Sequence, residues 1–284
     1  MATRREIFQQ LCLAAEECYP REEARQIAEM VITSLGGISR NDLLVEPNVV
    51  LEIKDIERIC RELRAWRPVQ YIVGCADFAD MELEVAEGVL IPRPETEELV
   101  EWIAGDMPDA RRLLDVCTGS GCIALALARR IEGCDVYGVD ISSTALAIAR
   151  RNGERYAPHV SFIEADALAD FSRSVGGEFD VIVSNPPYIP ERDMLLMRPN
   201  VTQYEPEMAL FVPDNDPLVF YRSIARTARM MLTSSGRLYF EIYESFAKDM
   251  QQMLAAEGYT DITIRKDFRG KPRMICAKVN LIER

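Results

Sequence analysis

From residue 111 onward the chain alternates short, β-branched apolar runs with stretches of helical period. Arg112-Leu113-Leu114-Asp115-Val116, Asp135-Val136-Tyr137-Gly138-Val139-Asp140, Val160 to Ile163 and Glu178 to Val183 read as buried strands. Helices are expected from Cys122 to Arg130 and, capped by Ser142-Ser143, to about Arg155. This alternation builds a doubly wound α/β fold around a mostly parallel sheet. A helix near 217–232, a strand from Gly236 to Ile242 and a helix near 245–257 continue it. Two last strands, Ile262 to Arg265 and Arg273 to Val279, are expected to pair antiparallel. Residues 190 to 216 hold several prolines and acids and read as a long loop.

Ahead of residue 68 the pattern is helical throughout. Ile7, Leu11, Ala14 and Ala15 share one face, and Ala24, Ile27, Ala28, Val31 and Ile32 another. Gly36-Gly37 ends the second helix, Ser39 to Asp42 caps a third, and Glu46-Pro47-Asn48 opens a fourth that carries Val50 to Leu63. Val69 to Gly74 and Met81 to Val85 then read as two strands of a hairpin. Pro94 suits the first position of the next helix, with acids in its first turn. The expected organisation is a helical N-terminal domain over 1–67, a β-hairpin linker over 68–92, and the α/β domain over 93–284.

Composition removes several function classes. The chain has 33 basic and 46 acidic residues, a net charge of −13, which argues against tight nonspecific binding along a nucleic-acid backbone. The N-terminus has no apolar core of a secretory signal, and no apolar run reaches membrane-spanning length, so a cytoplasmic protein is expected. Eight scattered cysteines show no metal-site spacing and read as reduced core thiols, so no metal is expected. The single histidine, His159, stands where a strand starts and reads as a strand-edge polar residue, which weighs strongly against a His-based triad or a His-rich metal site.

Two stretches carry chemistry. The first, Ser184-Asn185-Pro186-Pro187-Tyr188-Ile189, follows a buried strand, so Asn185 lies at the sheet edge where open α/β folds bind ligands. Two prolines hold the backbone extended. The Asn185 side-chain oxygen and the Pro186 carbonyl can accept hydrogens from a planar –NH2 group, and Tyr188 can pack on the group that carries it. Such fixed acceptors catalyse by orientation. Taken alone, the stretch is equally an ordinary proline turn.

The second is the loop Cys117-Thr118-Gly119-Ser120-Gly121, with Asp140 ending the next strand, 19 positions after Gly121. Its glycines let the backbone approach a ligand, and Asp140 can accept both hydroxyls of a ribose. Gly119-Ser120-Gly121-Cys122-Ile123-Ala124 also satisfies the dinucleotide pattern, so the loop alone fits NAD and S-adenosylmethionine equally. Asp115 ahead of the loop suits a cationic amino acid end and would repel a pyrophosphate. The amine-holding stretch at Asn185 serves methyl transfer and has no use in hydride transfer. Both point to S-adenosylmethionine. Asp166, after the third strand, can accept from an adenine amino group or cap a helix.

Together these residues resemble the class I S-adenosylmethionine-dependent methyltransferases, and more narrowly the HemK/PrmC family of protein-glutamine methyltransferases. The likeness rests on the segments Pro68 to Gly74, Ile91-Pro92-Arg93-Pro94-Glu95-Thr96-Glu97, Asp115 to Gly121, Asn185 to Ile189 and Tyr204-Glu205-Pro206. It covers nearly the whole chain. Cys117 departs from the class, which usually has glycine there. The resemblance implies a Rossmann-like seven-stranded sheet. It implies methyl transfer to the N5 nitrogen of the glutamine in the Gly-Gly-Gln motif of class 1 peptide chain release factors, with S-adenosylhomocysteine as product. Asn185, Pro186, Pro187 and Tyr188 would then hold the glutamine, Asn185, Pro186 and Tyr188 acting in catalysis. Asp115, Cys117, Thr118, Gly119, Ser120, Gly121, Asp140, Asp166, Ala167 and Asn185 would bind the cofactor, and the helical domain of a monomer would help dock the release factor. An adenine-N6 nucleic-acid methyltransferase shares the Asn-Pro-Pro-Tyr tip, and the basic run Arg265 to Arg273 keeps that reading open. A third reading is a binding module that keeps the fold without catalysis.

Overall fold

The structure, a computed structural model, describes residues 2–279; Met1 and residues 280–284, the outer ends of the expected domains, lie outside the described residues. Seven strands form the main sheet: β1 (Arg112–Val116), β2 (Asp135–Asp140), β3 (Ser161–Glu164), β4 (Phe179–Ser184), β5 (Leu232–Glu241), β6 (Tyr259–Lys266) and β7 (Pro272–Val279). Their order is β6-β7-β5-β4-β1-β2-β3. β7 runs antiparallel to both its neighbours, and the other pairs are parallel. Side-chain alternation sends Leu113, Val181 and Val183 to one apolar core, and Leu114, Val116 and Ile182 to another. Helices Pro94–Asp106 and Cys122–Arg130 cover the first face; Val219–Met231 and Ala247–Ala256 cover the second. With both faces covered, the central strands are mostly apolar, with Asp115 in β1 and Asp180 and Ser184 in β4 as exceptions, and so their sequence is legible.

The strand order places the site. From β1 the chain winds outward through β2 and β3, then returns to β4 on the other side of β1. Register pairs Val116 with Ser184, and the Ser184 hydroxyl donates to the Val116 carbonyl at 2.6 Å. The loop after β1 and the tip after β4 therefore start side by side at a topological switch point.

The chain divides into two units, Met1–Cys75 with Arg198–Tyr204, and Ala76–Met197 with Glu205–Arg284. In the first, helices Arg4–Glu16 and Arg21–Gly36 bury the expected apolar faces, and Gly37 (φ 61°) ends the second helix. Three expectations need correction. Val50–Leu51 is a strand paired with Ala2–Thr3, and the fourth helix spans only Ile56–Arg64; Pro47 and Asn48 open a turn instead. Val69–Val73 is a short helix, ended by Gly74 at φ 82°. Its β-branched and aromatic residues carry strand propensity, which the burial of Val69, Tyr71 and Ile72 overrides. The hairpin begins later, pairing Cys75–Phe78 with Met81–Glu84. The segment 190–216 is not one loop. Ile189–Pro190 pairs in parallel with Phe211–Val212, and three short helical turns lie between.

Candidate active site

The loop after β1 is built by its own hydrogen bonds. Asp115 is fully buried; its Oδ2 accepts from the Thr118 hydroxyl at 2.6 Å and from the Ala124 backbone N–H at 3.2 Å. Burial pushes its carboxyl up to about 7, with those two bonds acting against the shift. Asp115 was expected to face a cationic ligand. It lies beneath the loop and does not line the cavity above it. Its Oδ1 is buried without a hydrogen-bond partner among the described residues. Gly121, expected at the ligand, is also off the cavity: it stands at φ 82°, and a Cβ there would sit 3.0 Å from the Phe162 ring. Gly119 is the glycine that faces the cavity, with φ 57° and nothing within 4 Å of an added Cβ. That is space a bound molecule can take.

Asp140 ends β2 at the cavity wall. Its Oδ2 accepts from the Gly119 N–H and its Oδ1 from the Ser142 N–H, each at 2.9 Å. Each carboxylate oxygen keeps a lone pair for a ligand hydroxyl. Burial raises its pKa, and the Ser142 and Gly119 bonds oppose the rise. Asp166 spends Oδ1 on the Leu168 N–H at 2.8 Å, closing a turn rather than capping a helix. Together with Cys117, Thr118, Ser120 and Ala167 these residues line a cavity of about 300 Å³.

The tip after β4 reaches the same cavity through Asn185 and Pro187; Pro186 and Tyr188 do not line it. Tyr188 was expected to pack on a substrate. It turns inward instead: its hydroxyl donates to Glu241 at 2.9 Å and its ring stacks at 6.0 Å on Tyr243. Asn185 Nδ2 donates to the Thr96 hydroxyl oxygen at 3.3 Å. The Thr96 hydroxyl donates in turn to Glu241 at 2.6 Å.

Other lining residues were not assigned from the sequence. Ile91, Pro92, Arg93 and Thr96 form one wall, and Pro206, Met208 and Phe220 part of another. The first two walls are joined by buried Glu205, which accepts from the Ile91 N–H at 3.1 Å and pairs with Arg93 at 2.6 Å. The signal is present in the sequence, in the motifs Pro92-Arg93-Pro94-Glu95-Thr96 and Tyr204-Glu205-Pro206. The hairpin is tied in by Asn152, whose Nδ2 donates to the Glu84 and Ser120 carbonyls at 3.1 and 3.0 Å. The basic run from Arg265 is largely spent within the fold. Arg273 pairs with Asp267, Lys271 with Glu244 and Arg269 with Glu95, while Arg265 lies 4.3 Å from the Trp102 ring centre. Among the described residues no helix is long and apolar enough to cross a membrane.

A family model described as a methyltransferase domain matches residues 113–198. A protein of Bacteroides thetaiotaomicron named release factor glutamine methyltransferase is 42% identical, over 92% of this chain and 95% of its own. Proteins of the same name from Flavobacterium psychrophilum (37% identical, 95% of this chain and 96% of its own) and Lactococcus lactis (41%, 86% and 89%) also match over most of their length. The chain belongs to the release factor glutamine methyltransferase family. The fold is also that of a methyltransferase from Pyrococcus furiosus, with a TM-score of 0.54 at 18% identity over 79% of this chain and 99% of that one.

Within this methyltransferase the loop has one costly residue. Cys117 sits at φ 62°, where an L side chain costs about 1–2 kcal/mol. Burial, with Asp140 adding to it, pushes its thiol well above the usual range, which favours the protonated form. Cys117→Gly is expected to melt at or above the wild-type temperature, and Cys117→Val, with a β-branched side chain at the same φ, below it. Thermal unfolding of the pair checks this; a Cys117→Val protein as stable as wild type refutes the strain.

Proposed function

We propose that this enzyme transfers a methyl group from S-adenosylmethionine to the side-chain amide nitrogen of the glutamine in the Gly-Gly-Gln motif of class 1 release factors. The observation that carries the reading is one cavity lined at once by Asp140, Gly119 and Asn185. The residues present fit a nucleoside: open space over Gly119, acceptor capacity on Asp140 and Asp166, and a largely apolar lining that includes Ile141, Leu168 and Phe220. S-adenosylmethionine supplies, when bound, an electrophilic methyl on a sulfonium. The chain's part is positional. Asn185 lines the cavity, and its Oδ1 accepts one hydrogen of the glutamine amide and turns its nitrogen toward that methyl; the Pro186 carbonyl, off the cavity lining, is the proposed second acceptor. Pro187 forms the wall beside Asn185. Asp115, Thr118, Ser120 and Gly121 hold the loop in shape for the cofactor, and Cys117 and Ala167 contact it. Tyr188 acts from behind, through Glu241.

The names of the relatives support the protein substrate, and a cytoplasmic monomer is the setting that fits it. The internal pairing of Arg269, Lys271 and Arg273 weighs against an adenine-N6 activity on nucleic acid. Methyl-labelled cofactor is expected to label a release factor, to leave unlabelled a release factor whose Gly-Gly-Gln glutamine is replaced, and to leave DNA and RNA unlabelled. Label on nucleic acid, or label that survives loss of that glutamine, overturns the proposal.

A further inference from the structure

A carboxamide has nearly the same shape with its oxygen and nitrogen exchanged, so its hydrogen-bond partners decide which end faces where. At Asn185 the decision comes from two residues remote in sequence. Glu241 ends β5, is almost fully buried, and accepts with both side-chain oxygens: Oε2 from the Thr96 hydroxyl at 2.6 Å, Oε1 from the Tyr188 hydroxyl at 2.9 Å. Thr96 has one hydroxyl proton, and Glu241 takes it. What Thr96 then offers Asn185 is a lone pair, which only an N–H can meet. Asn185 Nδ2 lies 3.3 Å away and does so. Its Oδ1 is therefore the end left for the cavity.

We propose that Thr96 and Glu241 are positioning residues that lock the Asn185 carboxamide with its oxygen toward the substrate amide. The inference rests on the proposed role of Asn185. A flipped carboxamide is penalised twice: its oxygen faces the lone pair of Thr96, and its –NH2 meets the incoming –NH2. The lock also selects chemistry. It favours a donor-bearing amide and rejects a carboxylate, so glutamine is accepted where glutamate, of the same shape, is refused.

The test measures kcat and KM with a release factor as acceptor, and S-adenosylhomocysteine affinity, in four variants. Thr96→Val keeps the shape and loses the lone pair; kcat is expected to fall at least about tenfold, the equivalent of one lost hydrogen bond. Thr96→Ser restores kcat to within about threefold, which a purely steric role for the methyl group would not allow. Product affinity stays within about threefold in both. Glu241→Gln keeps the shape and weakens the acceptor facing Thr96, and its kcat is expected to drop at least about threefold; if Thr96→Val does not fold, this variant decides alone. Wild-type kcat in Thr96→Val, or in Glu241→Gln where that one decides, overturns the inference, provided that Asn185→Ala is inactive. If Asn185→Ala itself keeps its turnover, it is the reading of the tip that fails.

Discussion

Asn185→Ala is expected to lose on the order of a hundred- to a thousandfold in methyl transfer while binding S-adenosylhomocysteine within about threefold of wild type. An amide nitrogen is a poor nucleophile because its lone pair is delocalised into the carbonyl. It becomes competent only where acceptors hold its hydrogens and bring the lone pair into line with the methyl. Asn185 provides one such acceptor at the end of β4, on a backbone stiffened by Pro186 and Pro187. The adjacent strand pairing, Val116 with Ser184, keeps that acceptor beside the loop after β1. Removal of the carboxamide leaves this framework in place, so the loss falls on kcat. Single-turnover transfer to a release factor, beside calorimetry with the product, separates the two quantities. Turnover near the wild-type rate in the variant removes Asn185 from the chemistry.

How much of this was legible in advance differs by element. The parallel strands were readable because burial on both faces leaves them few polar positions, so runs such as Val181-Ile182-Val183 stand out. The loop and Asp140 were readable because a turn at positive φ and an acid at a strand end leave local signatures. Residues 69–73 were misread because a five-residue helix is too short to display a period. Asp115 and Tyr188 were recognised as special, but a sequence does not say which way a side chain points. Asp115 turned under the loop to Thr118, and Tyr188 turned inward to Glu241. Glu241 itself went unassigned, although an acid closing the apolar run Leu238-Tyr239-Phe240 is the same kind of signal that Asp140 gives. Its partner Thr96 lies 145 positions away in the chain, a pairing only the fold can make.

Asp140→Ala is expected to weaken S-adenosylhomocysteine binding by about a hundredfold or more, the loss of two hydrogen bonds to a charged acceptor at roughly 1.5–3 kcal/mol each. The substitution has a second effect. Asp140 also accepts from the Gly119 and Ser142 N–H groups, so its loss loosens the loop that faces the same ligand. The two effects separate with a cofactor product that lacks one ribose hydroxyl. Against the wild type this analogue binds more weakly than the parent, because one hydroxyl no longer meets the carboxylate. Against Asp140→Ala the two ligands bind alike, since the acceptor is gone from both. If Asp140 acts only by bracing the loop, the analogue loses the same factor in both proteins and the effects add. Isothermal titration of both ligands into both proteins closes the cycle. Additive losses assign Asp140 to the loop alone and leave the ribose to another acceptor.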